Sequence, residues 1–361
     1  MRQIHNGADS RISLASLLRN NIENNKTDLN ILTNSIFRGD SLVMARRRLK
    51  VLGEVAYYHL MSRTVNGEAL FGDKEKEVLR KMIWQVAYFS GVKVITYAVM
   101  KNHFHLLVEV PAGAEGVSDE EIVRRYRRLY PQKTPWQPMT AEVLQGHLED
   151  GSEEGRRLRE GLLVRMHDVS EMMKTLKLRF SLWFNRSRGR FGTLWSERFK
   201  SVLVEGDRFA LQTVAAYIDL NAVRAGLVQD PKDYRFCGYG ESVGGSRVAR
   251  AGLASVDRTL AGYRQLLYGS GSDIKEGKVS ISREEAVRVL EEEKGELPLA
   301  LALRCRVRYF SDGIVLGSRG FVEDRMGAAP AGAREKVPRA MRGSVWKGLM
   351  VESVMKTRLF G

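Results

Sequence analysis

The stretch that most restricts how this chain can fold is Thr96-Tyr-Ala-Val-Met-Lys-Asn-His-Phe-His-Leu-Leu-Val-Glu-Val110. Its second half is dominated by β-formers and apolar residues, and Pro111 closes it, so it reads as a strand. Side chains alternate across a strand, which puts His103 and His105 on one side and Phe104 on the other, where a core should lie. Two same-face residues root roughly 7 Å apart, near enough for two imidazoles to converge on one metal ion or one phosphate. A His-x-His pair taken alone is more often an exposed or hydrogen-bonded pair. The rest of the chain has to decide.

The flanks of this strand set the fold class. Residues 54–63 are rich in β-formers and make a first strand, and Val65-Asn-Gly67 turns the chain. Asp73 can cap a helix running to about Phe89, with Val78, Leu79, Met82, Ile83, Val86 and Ala87 as one apolar stripe. Ser90-Gly91 ends that helix, 92–99 is a second strand, and Lys101-Asn102 is a tight turn into the histidine strand. Strand, helix, strand, strand predicts an α+β sandwich: an antiparallel sheet with helices packed on one side.

Charge is the strongest global signal. Lys and Arg number 58 against 43 Asp and Glu, giving +15 and a pI near 9.8. Such a surplus attracts an anionic polymer or surface. No basic amphipathic anchor, membrane-length apolar run or signal peptide stands out, so nucleic acid in the cytoplasm is the expectation and a membrane is not. Cys237 and Cys305 are too few and too far apart for a disulfide framework or a Cys-rich zinc site. A metal would need His, carboxylate or amide ligands.

Residues 1–43 read as a loosely ordered, polar extension, and Met44, ahead of the basic run 45–50, is a second candidate start codon. A core domain is expected over 44–245, interrupted at about 112–160 by a charged, Pro-broken insertion that reads as a solvated helical excursion. Leu162 to Asn185 has the spacing of one long helix. Between Lys174 and Lys200 lie eight Lys or Arg residues and a single acid, Glu197, with Phe180, Trp183, Phe184, Phe191 and Trp195 among them. Cations track phosphates and rings stack on unpaired bases, so this stretch suits single-stranded nucleic acid. Its candidate contacts are Lys174, Lys177, Arg179, Arg186, Arg188, Arg190, Trp195, Arg198 and Lys200. A strand over 198–205 and a helix from Arg208 to about Ala225, closed by Gly226, complete the domain. Residues 246–327 suggest a small helical extension, with Ser282 capping one helix and 299–310 forming another, in the manner of a helix-turn-helix. Residues 328–361 read as a basic, disordered tail.

On the 208–225 helix, Tyr217 and Asn221 are four apart and share a face. A lone tyrosine on an amphipathic helix is usually packing. Asn is a poor helix-interior residue without a job, whether as a ligand or as a cap near Gly226.

Three blocks now stand in order: Lys101-Asn-His-Phe-His-Leu-Leu-Val-Glu109, Gly192-Thr-Leu-Trp-Ser-Glu-Arg-Phe-Lys-Ser-Val-Leu-Val204, and Ala216-Tyr-Ile-Asp-Leu-Asn-Ala-Val-Arg-Ala-Gly-Leu-Val228. Together they resemble the REP-associated tyrosine transposases, single-tyrosine members of the HUH (His-hydrophobic-His) nucleases, over about 56–239 apart from the insertion. Ala222 stands where that family usually has Pro, and the insertion separates histidine strand from tyrosine helix more than is typical. The resemblance implies a ferredoxin-like domain with Tyr217 as nucleophile and His103, His105 and Asn221 holding Mg²⁺ or Mn²⁺. It further implies cleavage and transfer of single-stranded or hairpin DNA through a 5′-phosphotyrosine link, by a monomer or a homodimer. Two other classes fit the same residues: a hairpin-binding regulator without catalysis, and a related HUH replication initiator or relaxase.

Overall fold

A computed structural model describes residues 49–134, 137–269, 313–326, 339–340 and 350–353. The first strand, β1 (Ala56–Arg63), is followed by α1 (Asp73–Ser90), β2 (Lys93–Val99) and β3 (His103–Val110). Next come α2 (Asp119–Leu129), α3 (Ala141–Glu149), α4 (Glu153–Leu163), α5 (Val169–Arg188), β4 (Lys200–Val204), α6 (Arg208–Asp219) and the short α7 (Asn221–Arg224). Three more helices, α8 (Gly238–Val243), α9 (Arg247–Leu253) and α10 (Leu260–Gly269), pack back onto the domain. The sheet order starts β2-β3-β1-β4, with all three pairings antiparallel, which is the ferredoxin-like arrangement of an α+β fold.

Register fixes the two faces. Met61 sits opposite His105 on β3 and Lys200 on β4, Arg63 lies opposite His103, and Ala98 of β2 flanks His105. On the other face, Phe104, Leu106 and Val108 are fully buried. Leu79, Ile83 and Val86 of α1 and Leu176 and Phe180 of α5 are buried in the same core. Each such aliphatic or aromatic side chain contributes about 1.5–3 kcal/mol on leaving water. The helical layer expected on one side is thus α1 and α5; α6 takes the opposite, histidine face.

Local chemistry sets the helix ends. Gly72, not Asp73, precedes the first turn of α1, and the Glu75 carboxylate accepts its N–H at 3.0 Å. Gly91 closes the helix at φ 63°, a left-handed conformation that glycine adopts without cost. The long helix expected over 162–185 is two helices. His167 breaks it at φ 51°, and Asp168 then accepts the N–H groups of Ser170 and Glu171, which starts α5 afresh. The tyrosine helix is likewise capped by Asp207, through Phe209 and Ala210, and kinks at Leu220 before α7.

The insertion is packed and not merely solvated. Ile122, Leu129 and Leu144 are fully buried, and α2 lies against α1. At the far edge, within the stretch expected to be helical, Gly313–Gly317 is a strand, β5. It runs parallel to β4, with Leu203 opposite Val315, and is followed by α11 (Arg319–Met326). Glu205 secures the junction by accepting from the Ser318 backbone N–H and hydroxyl. Two short strands, β6 (Arg339–Ala340) and β7 (Met350–Ser353), complete the order as β5-β7-β6. The expected Ser282-capped helix, the 299–310 helix, Cys305 and the 1–43 extension lie outside the described residues. Among the described residues, no helix is long and apolar enough to cross a membrane.

Candidate functional site

Above the histidine face lies a cavity of about 520 Å³ lined by His103, His105, Tyr217, Asn221, Arg63, Arg198, Lys200, Arg224 and Glu197, among others. The fold therefore brings together all four residues singled out as nucleophile and ligands, from β3 and, more than 100 positions later, from α6 and α7. Four cations and one acid make the cavity a place for an anion.

Each ligand candidate is held by a neighbour. Asn102 donates its amide N–H to the Gly67 carbonyl at 2.7 Å, which turns its Oδ1 toward His103 Nδ1 at 2.6 Å. An amide oxygen only accepts, so Nδ1 of His103 carries the proton and Nε2 keeps its lone pair. His105 Nδ1 lies 2.9 Å from Nε2 of His59, a buried histidine on β1 whose ring stacks on it at 5.1 Å. Asn221 donates through Nδ2 to the carbonyls of Tyr217 and Ile218, leaving Oδ1 as its remaining acceptor. Burial, with the Arg63 charge adding to it, lowers the His103 pKa to about 4. Burial holds that of His105 well below the usual imidazole value, helped by His59, His103, Arg224 and Arg63. Both rings are neutral at pH 7, the form that ligates metal.

Two imidazole nitrogens and one amide oxygen are a donor set a divalent cation accepts. Among the described residues no cluster of three or more His, Cys, Asp or Glu is placed to hold a metal ion, and Asn221 is the amide that shares the cavity with the two histidines.

Tyr217 is almost wholly buried. Its ring meets His59 and His105 edge-on, each at 5.8 Å, and the Arg224 guanidinium lies 4.3 Å from the ring centre while also bonding the Tyr217 carbonyl at 2.5 Å. The helix that carries it is anchored from below by Asp219, which is fully buried. Asp219 accepts from Thr96 (2.9 Å), Tyr263 (2.6 Å) and the Tyr239 N–H (3.0 Å). A register shift between Val94 and Thr96 turns Thr96 onto this face. Burial raises the Asp219 carboxyl to about 6 against these donors.

The basic stretch sorts itself into several classes. Arg198 and Lys200 line the cavity. Lys174 pairs with Glu171 and Arg188 with Glu75, while Arg179 bonds the Leu129 carbonyl and lies over Tyr130, tying α5 to the insertion. Lys177 donates to the Glu197 carbonyl and lies over Trp195. Trp195 itself packs against Phe71, Phe104 and Phe180 in the core, so no base can stack on it. Phe180 and Phe184 are buried as well; Phe191 is the exposed ring, at 93%. It stands beside Arg190 in a turn between Gly189 (φ 57°) and Gly192 (φ 90°), with Arg186 exposed nearby in sequence.

The family model described as "Transposase IS200 like" matches residues 54–129. The matched segment runs from β1 to α2 and so contains His59, His103 and His105, while Tyr217 and Asn221 lie beyond it. No curated protein matches the chain. Among solved structures, "Structure of the REP associates tyrosine transposase bound to a REP hairpin" is 15% identical, covering 56% of this chain and 88% of that one, with a TM-score of 0.33. An overlap that loose transfers no residue positions. Sequence reasoning missed His59, Asn102 and Arg224 as parts of the site. The signal for His59 was its place in the same-face series 59, 61, 63 of β1.

Proposed function

We propose that the chain is a metal-dependent, single-strand DNA transferase that cleaves and rejoins strands through Tyr217, with His103, His105 and Asn221 holding Mg²⁺ or Mn²⁺. One observation carries this reading: the two histidines, the tyrosine and the asparagine line a single cation-rich cavity. The transposase match over the histidine strand supports DNA as the polymer.

The residues divide the work as follows. Arg63, Arg198 and Lys200 attract and seat the phosphodiester. The Tyr217 oxygen attacks phosphorus in line, forming a P–O bond as the bond to the 3′-oxygen breaks; the phenol loses its proton and the leaving oxygen ends as a hydroxyl. Arg224, over the ring and bonded to the Tyr217 carbonyl, holds the nucleophile in place. A divalent cation held by His103, His105 and Asn221 would supply electrostatic stabilisation of the developing negative charge. The 5′-phosphotyrosine keeps the bond energy, so transfer to another 3′-hydroxyl needs no nucleotide cofactor.

The test uses a labelled DNA hairpin with single-stranded flanks, Mn²⁺ and the full chain. A covalent protein–DNA adduct forms with the wild type and disappears in Tyr217→Phe. Adducts that persist in that variant sink the assignment of the nucleophile.

A further inference from the structure

Two hydrogen bonds behind the cavity wall decide which nitrogen each histidine offers. At His103 the answer follows from Asn102, whose oxygen takes the Nδ1 proton and leaves Nε2 as a lone pair. At His105 the partner is another histidine, and His59 Nε2 can either accept from His105 Nδ1 or donate to it. The two choices are not equivalent. If His59 donates, His105 carries its proton on Nε2 and has no lone pair left for a cation. If His59 accepts, Nε2 of His105 is a lone pair, like that of His103.

The surroundings favour the second state. Nδ1 of His105 is engaged with buried His59, which leaves Nε2 as its ligating nitrogen. The cavity that His105 lines carries Arg63, Arg198, Lys200 and Arg224 against one carboxylate. A ring lone pair facing that positive potential is favoured over an N–H dipole facing it. The stacked arrangement of the two rings and the near absence of solvent around either keep water from competing for the bond.

We propose that His59 is a positioning residue that accepts the Nδ1 proton of His105 and so presents the Nε2 lone pair of His105 to a divalent cation. This rests on the metal-site reading above. It gives His59 on β1 the role for His105 that Asn102 has for His103: the partner of a ligating histidine fixes its tautomer and ring orientation. No bond is made or broken in this role; one proton is held at one atom.

Two measurements test it. In metal-free full-length protein labelled with ¹⁵N-histidine, long-range ring spectra are assigned with His59→Phe, His103→Ala and His105→Ala. They should show His105 protonated at Nδ1 and unprotonated at Nε2. The reverse tautomer overturns the proposal, whatever the variants do. Mn²⁺ binding is then followed by electron paramagnetic resonance with a hairpin oligonucleotide present. His59→Phe keeps a ring in place but cannot accept, and should weaken binding by about 10–100-fold. His59→Gln, which brings an amide oxygen to about the position of Nε2, should recover most of that loss. Wild-type affinity in the Phe variant overturns the role of His59 and leaves the metal centre standing. Absent Mn²⁺ binding by the wild type, or binding unchanged in His103→Ala, instead removes the metal centre itself. A Phe variant that fails to fold leaves the wild-type spectrum to decide.

Discussion

Phe104, Leu106 and Val108 are buried in the same hydrophobic core as residues of α1 and α5, whereas His103 and His105, on the other face of the same strand, line a cavity with Tyr217, Arg63 and Arg224. Both faces are largely dry. One is stabilised by leaving water; the other keeps two neutral imidazoles largely from solvent, with Asn102 and His59 hydrogen-bonded to their Nδ1 atoms. A strand can therefore support the fold with its even residues and reserve its odd residues for chemistry. A substitution on either face tells which is which.

The sharpest contrast comes from the chemical face. His103→Ala should reduce adduct formation to background while leaving the urea midpoint nearly unchanged, because a partly buried polar ring lining a cavity adds less packing than a core side chain. A large loss of stability in that variant would break the contrast. Phe104→Ala should do the reverse: it empties a fully buried site against Trp195 and should cost about 3–5 kcal/mol in equilibrium unfolding. Adduct formation per folded molecule should survive it.

The alternation that separates the faces was legible in residues 103–110, and so were the helix ends at Gly91 and Asp207, because each depends on neighbours in sequence. What could not be read depends on register or on long-range packing. His59 becomes a neighbour of His105 only once β1 pairs with Met61 opposite His105. Trp195 looked like a stacking platform, yet the chain after Gly192 folds back on the end of β1, through Ser196 N–H to the Arg63 carbonyl, and seals the indole into the core. The 162–185 spacing hid a break because Asp168 fits a helical pattern as well as it caps a new helix. Strand β5 sits between β4 and β7, so its strand character comes from pairings that its own spacing does not show.

The tyrosine helix makes the contrast pH-dependent. Asp219 has its folded pKa raised from 3.8 to about 6, so the folded state binds the proton more tightly than the unfolded chain. Its contribution to stability is fully present below the unfolded value and is lost as pH rises toward 6. Unfolding free energy should therefore fall by an amount on the order of 3 kcal/mol from this group between about pH 4 and 6. Asp219→Asn should remove that slope and, with an amide N–H now facing three donors, lower stability at every pH. A slope that survives the substitution would place the titration elsewhere.

The smallest predicted effect asks whether the two faces differ in charge as well as in polarity. A divalent cation entering the cavity alone joins Arg63, Arg198, Lys200 and Arg224, with Glu197 as the one carboxylate among the described lining residues, so its binding is opposed. A phosphodiester brought in at the same time reverses the sign. Mn²⁺ should then bind about tenfold tighter when a hairpin oligonucleotide is present, and the oligonucleotide should gain the same factor from Mn²⁺. Tyr217→Phe protein keeps the DNA intact during the titration. The charge argument makes a counter-intuitive demand on Arg198→Ala: without DNA it should bind Mn²⁺ more tightly than its parent, because one opposing charge is gone. Weaker binding in that variant would mean that Arg198 helps to build the site and does not merely oppose the cation.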